Sequence, residues 1–111
     1  MQPEIEKYLI DMLTSATIIV EHTSSIKEFT QFQRLEILTK DGIQRRLAII
    51  GEALYKADKL DKALNITGKR KIIGLRHIIV HDYDKVDEGI LFSIIVKDLS
   101  PLIEEIKKLL E

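Results

Sequence analysis

The sequence predicts an all-α bundle of four to five helices. Apolar residues recur at helical spacing in four stretches, helix caps and breakers fall between those stretches, and no segment alternates with the period of two that marks a strand. Ile-Ile and Ile-Val pairs favour strands locally, yet they lie in 3.6-period surroundings, and period outweighs propensity. At 111 residues the chain is long enough for one core and too short for two, so residues 1–111 read as a single domain. Hydrophobic residues make up 45% and charged residues 32%, a globular balance. With aromatics at 5% and no Trp, Ile, Leu, Val and Ala have to build the core.

Residues 3–23 form the first expected helix, with Pro3 acceptable in its first turn and Ile5, Leu9, Met12, Ala16 and Ile19 on one face. His22-Thr23-Ser24-Ser25 breaks it, and Ser25 with Glu28 has the spacing of a capping box for the next start. From Ile26 to about Lys59 the pattern is helical, either as one helix or as two parted at Gly42. Ile43, Leu47, Ile50, Leu54 and Ala57 make a seam suited to a neighbouring helix. Gly51 sits mid-helix at a cost of up to about 1 kcal/mol relative to Ala, which a close helix approach would offset. Glu52 falls off the seam and reads as a solvated residue; the sharper reading makes it a partner that orients Arg76.

Residues 60–69 read as a loop, and a further helix runs from Lys69 or Arg70 to about His81 on Ile72, Ile73, Ile79 and Val80. Asp82-Tyr83-Asp84-Lys85 interrupts it. Asp87 then caps a last helix that carries Ile90, Leu91, Ile94, Ile95, Leu99, Ile103, Ile106 and Leu110. Pro101 should kink or restart that helix, with Ser100 as its cap.

Several function classes drop out. Without cysteine there are no disulfides and no Cys-ligated metal. No apolar run reaches the roughly 18–20 residues of a membrane span, and the acidic start Met-Gln-Pro-Glu-Ile-Glu lacks a secretory layout, so a cytoplasmic address is expected. The formal net charge is −1, which means that affinity for nucleic acid has to come from a local patch. The aliphatic surplus of so short a chain predicts residual apolar stripes, and with them a two-fold homodimer.

Two of the three histidines lie in Gly74-Leu75-Arg76-His77-Ile78-Ile79-Val80-His81-Asp82-Tyr83, directly after the basic run Lys69-Arg70-Lys71. Metal-free phosphodiester cleavage needs an imidazole to move protons and a guanidinium to hold phosphate bidentately. Arg76 and His81 supply one of each. On an unbroken helix they would point roughly 140° apart, so convergence requires the helix to end near His81 or a second copy of the motif across a symmetric interface. His77 and His81 share a face at i and i+4, a spacing that also suits a metal, but no third ligand pattern accompanies them and no metal or other cofactor is expected. By spacing alone, a helix-end histidine is equally at home as a cap or a solvated residue, and Tyr83 as a ring that covers the end of the core.

Arg76-x4-His81-Asp82-Tyr83 resembles the Arg-x4-6-His-x-Tyr motif of the HepT-like branch of the HEPN superfamily. Arg46-Leu47-Ala48-Ile49-Ile50-Gly51-Glu52-Ala53 is similar to a helix of that family, and the stretch from Asp82 to Leu102 resembles its last helix. The resemblance implies an HEPN-type bundle that homodimerises with the motif in an interface cleft, and a metal-independent endoribonuclease that serves as a toxin. It also implies a minimal nucleotidyltransferase antitoxin as partner, which transfers AMP onto the motif tyrosine. Carried onto this chain, Arg76 holds the scissile phosphate, His81 is general base or acid, and Tyr83 is the AMP acceptor. Lys69, Arg70, Lys71 and His77 are candidate RNA contacts. The alternatives are a non-catalytic helical scaffold for a nucleotidyltransferase, or a nucleotide- or RNA-binding module that uses the same cleft without chemistry.

Overall fold

The computed structural model describes residues 1–111, the side chain of Tyr83 excepted, and shows an all-α bundle without strands among the described residues. Helix α1 spans Pro3–His22, α2 Phe29–Gln33, α3 Ile37–Leu60 and α4 Lys69–His81. A one-turn 3₁₀ helix at Tyr83–Lys85 leads to α5, Glu88–Ser93, which continues through a π-helical segment, Ile94–Asp98, into α6, Leu99–Leu110. Since α5, the π segment and α6 form one continuous rod, the bundle has five helices among the described residues.

Helix α1 packs against α3 and α6, and α4 packs on α3. The expected faces meet in the core: Ile5, Leu9, Met12, Ala16 and Ile19 of α1, the whole Ile43–Leu47–Ile50–Leu54–Ala57 seam of α3, and Leu91, Ile94, Ile95, Leu99 and Ile106 of the last rod are buried, whereas Ile90 is exposed and Leu102, outside the expected set, joins the core. Each fully buried Leu or Ile contributes about 1.5–3 kcal/mol relative to an exposed one, so aliphatic burial supplies the main drive despite the few aromatics.

Four further local features differ from the sequence reading. The capping box is Glu28 with Gln31 rather than Ser25 with Glu28: Gln31 Oε1 accepts the Glu28 backbone N–H at 2.9 Å, and α2 starts at Phe29. The break in the long helical stretch falls at residues 34–36, not at Gly42, which lies inside α3. Lys40 clamps that break by donating to the Gln33 carbonyl at 3.2 Å while it pairs with Glu88 of α5 at 3.3 Å. Ser100 does not cap a restarted helix. Instead, the hydrogen-bond ladder slips ahead of Pro101, and the Leu99 N–H bonds the Ile94 carbonyl five residues back. Pro101 has no N–H to give the preceding turn, and a wider turn upstream absorbs the mismatch without a break. Val80, expected to be a core contact, is 55% exposed, while Leu75 takes the buried position on α4.

Asp87 behaves as expected, its carboxylate accepting the N–H groups of Gly89 and Ile90 at the start of α5. The loop before α4 closes on Gly68, whose φ of +73° lies in the left-handed region open to glycine. It is fastened from both sides. The Thr67 N–H donates to Glu105 at 3.0 Å, and Lys69 donates to Asp58 at 2.8 Å and to the Leu64 carbonyl at 2.9 Å. Hydrogen bonding from Lys69 holds the Asp58 carboxyl below its usual range, against the opposing effect of desolvation. A depressed carboxylate pKa stabilises the fold above the unfolded value and is lost only as pH falls through the folded one, so this tether is intact at neutral pH.

Candidate functional site

Gly51 places the site. Helices α3 and α4 approach so closely there that a Cβ on Gly51 would lie 2.6 Å from the Arg76 Cβ and 2.8 Å from the Ile72 carbonyl oxygen. Both obstacles belong to or adjoin the α4 backbone, so neither can swing aside. We expect Gly51→Ala to destabilise the protein by about 1–2 kcal/mol, because overpacking outweighs the gain in helix propensity. Thermal unfolding checks this, and a variant as stable as wild type would contradict it.

Seated on Gly51, Arg76 turns its guanidinium along α3. Its Nε donates to Glu52 Oε2, and its Cζ lies 4.8 Å from the centre of the Tyr55 ring. The other Glu52 oxygen is 3.7 Å from the Lys56 ammonium. Glu52 is therefore a partner of Arg76, which corrects the reading of it as merely solvated. Lys59 sits over the same Tyr55 ring at 4.8 Å. As a hydrogen-bond donor and as a positive charge, Lys59 holds the Tyr55 hydroxyl below the ordinary tyrosine range, and the charge of Arg76 adds to the effect.

Beside Arg76 runs an open groove of about 360 Å³ between α1, α3 and α4. Ala48, Ile49, Ala53 and Val80 supply its apolar surface, while Lys7, Arg45, Lys56 and Arg76 bring positive charge and Asp11 and Glu52 negative charge. The Tyr8 ring also lines it, with Lys7 at 5.2 Å and Lys56 at 6.0 Å.

His81 lies elsewhere. Helix α4 stays regular up to this residue, so Arg76 faces α3 while the exposed His81 ring packs against His77 at 4.9 Å between centroids. His77 Nε2 is 3.9 Å from Asp82 Oδ2. Within one chain Arg76 and His81 thus contact different neighbours. No group of three or more metal-ligating side chains is found among the described residues.

The basic run is divided. Lys69 is held by Asp58 and Lys71 pairs with Asp98 at 2.9 Å, whereas Arg70 is exposed and makes no side-chain hydrogen bond or ion pair among the described residues. The side chain of Tyr83, the expected AMP acceptor, lies outside the described residues; its backbone opens the 3₁₀ turn after α4. Sequence reasoning passed over Tyr55. The signal was present in the i, i+3 and i, i+4 spacings Glu52–Tyr55, Glu52–Lys56 and Tyr55–Lys59, but only the α3–α4 packing shows that they surround Arg76. No helix is long and apolar enough to cross a membrane among the described residues.

Comparison with known proteins gives a consistent picture. A family model described as "Ribonuclease HepT-like" matches residues 12–109. A protein of Methanocaldococcus jannaschii named "Putative RNase" is 29% identical over 106 residues, covering 94% of both chains. A second protein of that organism, "Gamma-glutamylcyclotransferase and putative RNase", is 30% identical over the whole of this chain, which spans 50% of that relative. A "Putative RNase" of Caldanaerobacter subterraneus subsp. tengcongensis is 29% identical over 94% of this chain and 92% of its own length. No solved structure matches the chain.

Proposed function

The chain belongs to the HepT-like ribonuclease family, and on that premise we propose that it is a metal-independent endoribonuclease whose site forms between two copies of the chain. The observation that carries this reading is the placement of Arg76 and His81 on one regular helix with different neighbours, Arg76 against Glu52 and Tyr55, His81 against His77. A two-fold partner laid across this face would bring the His81 of one copy toward the Arg76 of the other, as isologous interfaces do. The apolar part of the groove next to Arg76, formed by Ala48, Ile49, Ala53 and the exposed Val80, one residue before His81, supports an interface there.

The chemistry follows from the two groups. The 2′-hydroxyl of the substrate ribose attacks the adjacent phosphorus and the bond to the 5′-oxygen breaks. His81 takes a proton from the attacking oxygen or returns one to the leaving oxygen. Arg76 binds the phosphate oxygens and offsets the negative charge that builds on them in the transition state. Arg70 and His77, both exposed, extend the positive and polar surface toward flanking nucleotides.

In the same reading the protein is a toxin, and a partner nucleotidyltransferase silences it by transferring AMP from ATP to the Tyr83 hydroxyl with release of pyrophosphate. The test of the central chemistry is direct. Purified protein should cleave single-stranded RNA in EDTA at the rate seen without it, and cleavage that is lost in EDTA and restored by a divalent ion would refute the metal-free mechanism.

A further inference from the structure

We propose that Glu52 and Tyr55 are positioning residues that hold the Arg76 guanidinium in one orientation, with its two terminal nitrogens turned to the substrate phosphate. This inference rests on the ribonuclease reading and names the device that prepares its phosphate-binding group.

Arginine carries five N–H donors in a planar fork, and a long side chain loses several rotamers when it docks on a phosphate. Three features of this structure remove that freedom beforehand. Gly51 admits the α4 backbone so closely that the Arg76 Cβ is fixed against α3. Glu52 accepts the Nε–H, which is the one hydrogen bond that the guanidinium makes among the described residues. The Tyr55 ring supports the guanidinium at 4.8 Å. A carboxylate on Nε and a ring beneath fix both the direction and the plane of the fork. The Nη atoms are left for the bidentate contact that phosphate geometry matches.

The arrangement also explains why an acidic residue stands inside a site meant for an anion. Glu52 is only partly exposed and shares its charge with Lys56 at 3.7 Å. Its repulsion toward phosphate is thereby reduced while its hydrogen bond to Arg76 is kept. Arg76 itself is about a quarter exposed, which leaves it accessible on the groove side. Lys59 places a second cation over the same ring at 4.8 Å.

Steady-state kinetics on an RNA oligonucleotide, together with NMR of the Arg76 Nε–H in the protein without RNA, tests the proposal. Glu52→Ala should lower kcat about tenfold or more with KM changed little, since a hydrogen bond to a charged group orients the fork for the transition state. Glu52→Gln keeps an acceptor oxygen and should recover most of the rate. Tyr55→Leu should lower kcat about three- to fivefold, and Tyr55→Phe, which keeps the ring, should stay within about twofold of wild type. In the NMR arm, the Arg76 Nε–H should be slow to exchange with solvent in wild type and Glu52→Gln, and fast in Glu52→Ala. Unchanged kcat with a lower KM in Glu52→Ala would overturn the proposal, because Glu52 would then only mask the charge of Arg76. An Nε–H that exchanges equally fast in wild type and Glu52→Ala would overturn it as well, whether or not RNA is cleaved. A wild-type protein that cleaves no RNA but shows the protected Nε–H would refute the ribonuclease reading and leave the clamp standing.

Discussion

Arg76→Ala should reduce RNA cleavage by on the order of 10²–10³-fold, the loss typical of one preorganised charge donor at a developing oxyanion. The fold should survive, because Ala keeps the Cβ that packs against Gly51 and the residues that the guanidinium touches are partly exposed: removing it leaves Glu52 with Lys56 and open to water, and Tyr55 with Lys59. Arg76→Lys should recover little, since an ammonium is a point charge that cannot make two parallel bonds to a phosphate. His81→Ala should cost about 10²–10⁴-fold, the range for a lost general acid or base. Its side chain is exposed and adds nothing to the core, so circular dichroism and melting temperature should not move. Both variants are assayed under the same metal-free conditions as wild type. Retention of cleavage by a folded His81→Ala protein would remove His81 from the mechanism.

The second large effect concerns silencing. Attachment of AMP to the Tyr83 oxygen would place a negatively charged phosphodiester and a nucleoside two residues beyond His81. The charge would compete for Arg76 and the bulk would fill space that RNA needs. Wild-type protein incubated with the proposed nucleotidyltransferase partner and ATP should gain one or more AMP masses and lose cleavage. Tyr83→Phe lacks the acceptor oxygen and keeps the ring. It should gain no AMP and should go on cleaving in the presence of the partner. Intact-mass spectrometry with a parallel cleavage assay measures both, and modification of Tyr83→Phe to the wild-type extent would show that the acceptor is another residue.

The parts of the fold that were legible in the sequence are those decided by local period. The α1 face from Ile5 to Ile19, the α3 seam from Ile43 to Ala57 and the limits of α4 follow from apolar spacing and end signals alone. Where two local signals competed, the sequence left the outcome open. Ser25–Glu28 and Glu28–Gln31 share the three-residue spacing of a capping box; the first reads as the box in the sequence, and the second forms it because Gln31 accepts the Glu28 N–H. Pro101 announces a disturbance, but whether the chain kinks, restarts or widens one turn depends on how the rod lies on α1. For the site the division is similar. Gly51 signalled a close approach, and the approach is there. That Arg76 is the residue brought against it, and that Glu52 and Tyr55 meet the guanidinium, depends on the register of α4 along α3, which no local pattern encodes. In the same way Lys69 and Lys71 looked equal to Arg70 in the sequence, and only tertiary packing pairs them with Asp58 and Asp98.

The proposed site shared between two copies of the chain is tested by mixing two inactive variants. Arg76→Ala and His81→Ala proteins, each inactive alone, are co-expressed with different tags and the mixed dimer population is assayed on RNA. If each site takes Arg76 from one copy and His81 from the other, a mixed dimer contains one intact site and one doubly damaged site. About half of the dimers are mixed at equal expression, so activity should return to about one quarter of wild type. If Arg76 and His81 act within the same chain, every site in the mixture lacks one group. Folded, dimeric variants whose mixture stays inactive would contradict the shared site.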